Sequence, residues 1–151
     1  MSQLSFRPAT RADLPTILAM LAHDQLGATR EDPSQPERYY SAFDAIENDP
    51  NNELIVACQG DAVVGTLQLT FIPGLSHTGA WRATVEAVRI HDAMRGQGLG
   101  SKLFEWVIAR AKERDCRMVQ LTTDKQRLDA KRFYERLGFV ASHEGMKLIL
   151  R

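Results

Sequence analysis

The sequence is short of cysteine, of net charge and of long apolar runs, and each shortage removes a class of function. Its two cysteines, Cys58 and Cys116, lie far apart in a chain of 151 residues and cannot build a disulfide framework. Cys58 closes one apolar run and Cys116 precedes another, so both read as small buried hydrophobes in preference to a disulfide or a nucleophile. His23, His77, His91 and His143 show no metal-ligand spacing, and no metal is expected. The 19 basic residues balance 19 acidic ones, so no global field draws the chain to nucleic acid or to an anionic membrane, and neither is an expected partner. No apolar run approaches a membrane span, and Met1-Ser2-Gln3-Leu4-Ser5-Phe6-Arg7 lacks the apolar core of a signal peptide; a cytoplasmic protein is the expectation.

What is present is the composition of an ordinary globular chain, 44% apolar and 25% charged, with no repeat or low-complexity tract to divide it. The length suits one domain over residues 1–151, large enough to bury a substantial core.

One stretch organises the rest: Val85-Glu86-Ala87-Val88-Arg89-Ile90-His91-Asp92-Ala93-Met94-Arg95-Gly96-Gln97-Gly98-Leu99-Gly100-Ser101-Lys102. Val85, Val88 and Ile90 mark a buried strand. The glycines at 96, 98 and 100 argue against strand or helix interior, because each costs backbone entropy. From Ser101 the apolar residues Leu103, Phe104, Val107, Ile108 and Ala111 fall at helical spacing, which predicts a helix over 101–114. A glycine turn feeding a helix presents unpaired N–H groups at the positive end of the helix dipole, a setting for phosphate or pyrophosphate. Side chains at 96, 98 or 100 would obstruct the anion, and Arg95 adds a bidentate charge. The competing reading is a glycine turn that only packs. A nucleotide P-loop needs Gly-Lys-Ser/Thr where this chain has Gly100-Ser101-Lys102, and a dinucleotide fingerprint needs G-x-G-x-x-G where it has G-x-G-x-G.

The remaining elements follow from periodicity and turn chemistry. A strand is predicted over 4–8, then a helix over 11–23 with Thr10 as cap and Leu14, Ile17, Leu18 and Leu21 as its apolar stripe. Residues 27–36 read as loop and a second helix opens at Pro36, with Tyr39, Tyr40, Phe43 and Ile46 on one side. Strands over 54–58 and 62–71 form a hairpin about Gly60-Asp61, and 72–79 is loop. The strand over 81–90 pairs antiparallel with the preceding one, and a strand over 118–122 follows the central helix. Asp129 caps a short helix ended by Gly138, and residues 139–142 and 146–150 make a closing hairpin about Gly145.

Arg95-Gly96-Gln97-Gly98-Leu99-Gly100 resembles the acyl-CoA loop, Arg/Gln-x-x-Gly-x-Gly/Ala, of the GNAT superfamily of N-acetyltransferases. Ala130-Lys131-Arg132-Phe133-Tyr134-Glu135-Arg136-Leu137-Gly138-Phe139 resembles that superfamily's A-x-x-F-Y-x-x-x-G-F block, one helix and one strand further on. The resemblance implies an α/β (α+β) fold with a mixed, mostly antiparallel central sheet of six or seven strands flanked by helices. It implies transfer of an acetyl group from acetyl-CoA to a primary amine. The acceptor reads as a small-molecule amine or amino acid, with a protein or peptide amine, or a non-catalytic acyl-CoA-binding sensor, as alternatives. It places the CoA phosphates on Arg95, Gly96, Gln97, Gly98, Leu99, Gly100 and Ser101. The pantetheine arm falls on main-chain groups of Val88, Arg89 and Ile90, where a strand distortion near Val88 frees an N–H for the oxyanion. It puts part of the acceptor pocket near His23, Asp24, Gln25, Tyr39 and Tyr40, for which core tyrosines and a solvated helix end are the competing reading. A homodimer through residues 146–150 is compatible with it.

An amine with pKa near ~10.4 must lose a proton before it attacks. Glu86 is the candidate base. Alternation in an apolar strand sets it on the face of Val88 and Ile90, where desolvation would raise its pKa; a structural carboxylate paired with Arg82, Arg89 or a backbone donor is the alternative. Tyr134 stands where the superfamily keeps the acid for the leaving thiolate, with a core aromatic as the alternative. Neither cysteine sits in an acyl-carrier motif, which favours direct attack. One position departs from the pattern: Arg127 replaces an asparagine common in the superfamily, which puts that cofactor contact in doubt, and Arg127, Lys125 or Lys131 is a candidate phosphate ligand.

Overall fold

The structure, a computed structural model, describes residues 3–151. They form two compact units, one running to Gln120 and the other from Leu121 to Arg151. The first unit is built on a sheet of order β1 (Leu4–Pro8), β2 (Asn52–Gln59), β3 (Ala62–Pro73), β4 (Trp81–Ile90) and β5 (Cys116–Leu121). The pairs β1–β2, β2–β3 and β3–β4 are antiparallel, as the Gly60-Asp61 turn and the alternation of β2 and β3 predict.

Each face of the sheet carries its own helices. Leu54, Val56 and Cys58 project from β2 onto a cluster with Ala9, Leu14, Ile17 and Phe43, which brings α1 (Leu14–Ala22) and α3 (Pro36–Glu47) onto one face. The alternate residues Ile55 and Ala57 face the other way. A Cβ at Gly65 would touch both Ala57 and Leu103 at 3.5 Å, so α5 (Leu99–Glu113) covers that second face. Leu103, Phe104 and Val107 of α5 are wholly buried there, each contributing about 1.5–3 kcal/mol of transfer free energy. Arg110 clasps Glu53 of β2 at 3.0 and 2.6 Å, and the Arg114 guanidinium lies 4.1 Å above the ring of Phe71 on β3. The position of the α5 N-terminus is therefore set by packing along its whole length.

Several expectations need correction. The sheet has five strands among the described residues, not six or seven. Residues 139–151 carry hairpin alternation, yet none is strand, and Val140, Met146, Leu148, Ile149 and Leu150 are 76–92% exposed. Alternation supplies a face, but a strand also needs a neighbour to take its amides and carbonyls. Part of the stretch read as loop is the helix α2 (Gln25–Arg30). Asp24 caps it by accepting the Gly27 N–H at 2.6 Å, and a Cβ at Gly27 would lie 1.9 Å from the Leu21 carbonyl, so the glycine marks close packing on α1. The one-turn α4 (Ser76–Gly79) falls where only loop was expected, with His77 and Thr78 left-handed at φ 52° and 62°. Helix α5 starts at Leu99, two residues before the expected start, and takes Gly100 into its first turn.

In the second unit, α6 (Leu128–Arg136) has Arg127 at its N-cap; Asp129 lies within the first turn and pairs with Arg132 at 2.7 Å. Both cysteines are free thiols, Cys58 in the core. No helix among the described residues is long and apolar enough to cross a membrane.

Candidate functional site

The expected site residues begin at the end of β4, where the ladder is irregular. In the β3–β4 ladder Gln68 pairs with Glu86 and Thr66 with Arg89, two steps on one strand against three on the other. The extra residue is a bulge at Ala87-Val88, where Ala87 takes φ +53°, and its main-chain groups leave the regular ladder. This is the distortion that the family resemblance implied; an alanine–valine pair gives no hint of it.

The bulge also changes which side chains share a face. Directly paired residues point the same way, and Thr66 also pairs with Val56, whose side chain packs on α1 and α3. Glu86 and Arg89 therefore both stand on the α1–α3 face. The expectation that Glu86 shares a face with Val88 and Ile90 fails, because strict alternation does not cross a bulge. Glu86 is exposed, so the burial expected of it is missing. Among the described residues its carboxylate makes no hydrogen bond or ion pair, so the structural pairing with Arg82, Arg89 or a backbone donor is not formed.

Beyond Ile90 the chain leaves the sheet through the His91 N–H, which donates to Val64 C=O at 2.8 Å, and turns through a short 3-10 segment, Asp92–Met94. Gly96 and Gly98 then take φ +78° and +76°, with open space around each position where a Cβ would project. Glycine is required there by the left-handed backbone, not by a crowded protein neighbour. Gly98 is the N-cap of α5 and supplies no side-chain acceptor. The first N–H of the helix with a main-chain partner is that of Lys102, which donates to Gly98 C=O at 3.3 Å. The amides of Leu99, Gly100 and Ser101 precede it at the positive end of the helix dipole. Leu99 is buried and anchors this end, whereas Arg95, Gln97 and Ser101 are exposed; Gln97 Nε2 donates to the Ala93 carbonyl at 3.0 Å. Main-chain donors, one guanidinium and an open, Cβ-free cradle are a donor set that fits a pyrophosphate.

The α1–α2 joint reaches the same region. His23, at the C-cap of α1, pairs with Asp92, and Asp24 lies 3.7 Å from Nε of Arg89. Gln25 opens α2 and is exposed. The two tyrosines have local work. The Tyr39 hydroxyl accepts the Asp32 N–H at 2.8 Å and donates to Glu31 at 3.0 Å, and Tyr40 packs on the core cluster under the Arg11 guanidinium at 4.8 Å. Asp92 was not singled out in the sequence, where an acid three residues before Arg95 carries no motif.

In the second unit Tyr134 is half-buried on α6, edge-on to Phe133 at 5.4 Å and to Phe139 at 5.9 Å. The A-x-x-F-Y-x-x-x-G-F block is thus an aromatic cluster that fixes the Tyr134 ring, closed by Gly138 at φ +101°.

Comparison with known proteins adds to this geometry. The profile of the Acetyltransferase (GNAT) family matches residues 18–139. An aminoalkylphosphonate N-acetyltransferase of Salmonella typhimurium is 32% identical over 107 residues, which cover 71% of this chain and 69% of that protein. A crystal structure described as a transcriptional regulator from Bacillus halodurans superposes with a TM-score of 0.93 at 56% identity, over 98% of this chain and 100% of that one. A putative acetyltransferase from Agrobacterium tumefaciens gives a TM-score of 0.82 at 28% identity, over 96% and 99% of the two chains.

Proposed function

The chain belongs to the GNAT acetyltransferase family, and from that membership we propose that it moves an acetyl group from acetyl-CoA to a small-molecule primary amine or amino acid by direct attack. The observation that carries the reading is the junction of β4 and α5. There a bulged strand end is followed by two left-handed glycines and a helix start without a side-chain cap, beside Arg95. Bound there, acetyl-CoA supplies an activated thioester acyl group. Arg95 and the amides of Gly96, Gln97, Gly98, Leu99, Gly100 and Ser101 hold its phosphates, and main-chain groups of Val88, Arg89 and Ile90 hold the pantetheine arm.

Glu86 removes the proton of the incoming ammonium, directly or through water. Its exposure suits it to pass that proton on to solvent. Tyr134 returns a proton to the departing sulfur. A free phenol, with a reference pKa near ~10, is close enough to a thiol for that transfer. A small acceptor is supported by the name of the Salmonella relative and by the balanced charge of this chain, which offers no field for a polycationic protein tail.

The test is Glu86→Gln followed across pH with a mixed panel of small amines. General-base catalysis contributes about 10²–10⁴-fold, so turnover at pH 7 falls by roughly 10²-fold and recovers in part at high pH, where the amine deprotonates itself. An unchanged rate removes Glu86 as the base. A second reading, an acyl-CoA sensor without turnover, draws on the description of the Bacillus halodurans protein as a transcriptional regulator. CoA binding without release from acetyl-CoA on any amine would favour it.

A further inference from the structure

Two adjacent residues at the α1–α2 joint close on both ends of the segment that leads from β4 into the glycine loop. Asp24 meets Arg89 at the strand's end, and His23 meets one carboxylate oxygen of Asp92. The other oxygen of Asp92 forms an ion pair with Arg95, 2.8 Å from its Nε. A guanidinium carries five N–H donors in a planar fork, so one carboxylate partner leaves donors for a phosphate.

We propose that Asp92, braced by His23, is a positioning residue that orders Arg95 for the CoA pyrophosphate before the donor binds. The inference rests on the reading of the Arg95–Gly100 loop as the donor site. An unrestrained arginine side chain loses rotamer freedom when it grips a phosphate, whereas one already held by a carboxylate has lost it beforehand. The three side chains are 49–67% exposed, so the cluster contributes little to the stability of the fold. Its effect therefore belongs in donor affinity and not in thermal stability, which separates positioning from a structural role. It also links the α1–α2 joint, near which the acceptor pocket is expected, to the donor loop.

The experiment is calorimetric titration of the whole protein with CoA, for the parent, Asp92→Ala and Asp92→Glu, alongside KM values for acetyl-CoA and for S-acetylpantetheine, which has no pyrophosphate. Asp92→Ala weakens CoA binding about three- to tenfold, the scale of one restrained side chain. It raises KM for acetyl-CoA by a similar factor with kcat nearly unchanged, leaves KM for S-acetylpantetheine where it was, and moves the apo Tm little. Asp92→Glu, which keeps a carboxylate to pair with Arg95, restores part of the affinity. Equal or tighter CoA binding by Asp92→Ala, or the same loss with S-acetylpantetheine, overturns the proposal. A parent protein that binds no CoA would instead refute the donor-site reading itself, so the two failures are distinguishable.

Discussion

Gly98→Ala separates what the glycine loop does for the fold from what it does for a ligand. Gly98 caps α5 at φ 76°, ψ 11°. An L-residue in that region costs roughly 1–2 kcal/mol, offset by about 0.4–1 kcal/mol because alanine restricts the unfolded chain more than glycine does. The added methyl meets nothing within 4 Å, so no steric penalty is added. The net loss is about 0.5–1.5 kcal/mol, or roughly 1–6 °C in Tm for a chain of this size. Donor affinity should suffer more. A methyl in the open cradle displaces the anion from at least one main-chain donor, and a hydrogen bond to a charged group is worth about 1.5–3 kcal/mol, or roughly 10- to 150-fold in Kd. Thermal unfolding of the apo protein and calorimetric titration with acetyl-CoA read the two effects independently. An unchanged Kd would refute the reasoning, since the glycines would then serve only the turn. A Tm loss far beyond this range would show that the loop carries packing absent from this account.

Tyr134→Phe keeps the edge-on contacts with Phe133 and Phe139, so stability and acetyl-CoA affinity should hold while turnover falls by about 10²-fold; a collapse in folding or affinity would assign the ring to packing alone. Asp13 tests the base of the α1 face. Arg7 grips its carboxylate at 2.7 and 3.0 Å, the Thr10 N–H adds a third bond at 2.7 Å, and together they lower its pKa from 3.8 to about 2. The folded value lies below the unfolded one, so this contribution is present above about pH 4 and is lost as pH falls from about 4 through 2. At ~1.36 kcal/mol per pH unit the upper value is ~2.4 kcal/mol, and with Arg7 part-exposed about 1–2 kcal/mol is expected. Asp13→Asn should therefore lower Tm at pH 7 and flatten the acid limb of the stability curve; an acid limb as steep as the parent's would contradict this.

The parts of the fold that were legible are those in which one local signal suffices. The stripe from Leu103 to Ala111 could only be an amphipathic helix, and Gly60-Asp61 between apolar alternations could only be a hairpin. Gly27 misled because a helix-breaking residue was read without its reason, the close approach of α2 to the Leu21 carbonyl. The alternation of residues 139–150 was visible, but strand formation depends on a neighbour that sequence does not name. In the site, the glycines at 96 and 98 made the left-handed turn before α5 legible, since few other residues adopt that backbone. The bulge at Ala87-Val88 is not legible in the sequence, and it sets Glu86 on the face of Arg89 instead of that of Ile90. Asp92 was invisible because its role arises only when His23, sixty-nine residues away in sequence, is brought beside it.

The central claim is that the β4–α5 junction binds an acyl-CoA and turns it over on a small amine. The most direct measurement is thermal unfolding with and without acetyl-CoA, coupled to CoA release over a panel of aminoalkylphosphonates, amino acids and simple amines. At 100 times its Kd the donor should stabilise the fold by about 2.7 kcal/mol, roughly 5–10 °C, and at least one amine should release CoA. No shift at saturating acetyl-CoA and no release on any amine would contradict the account.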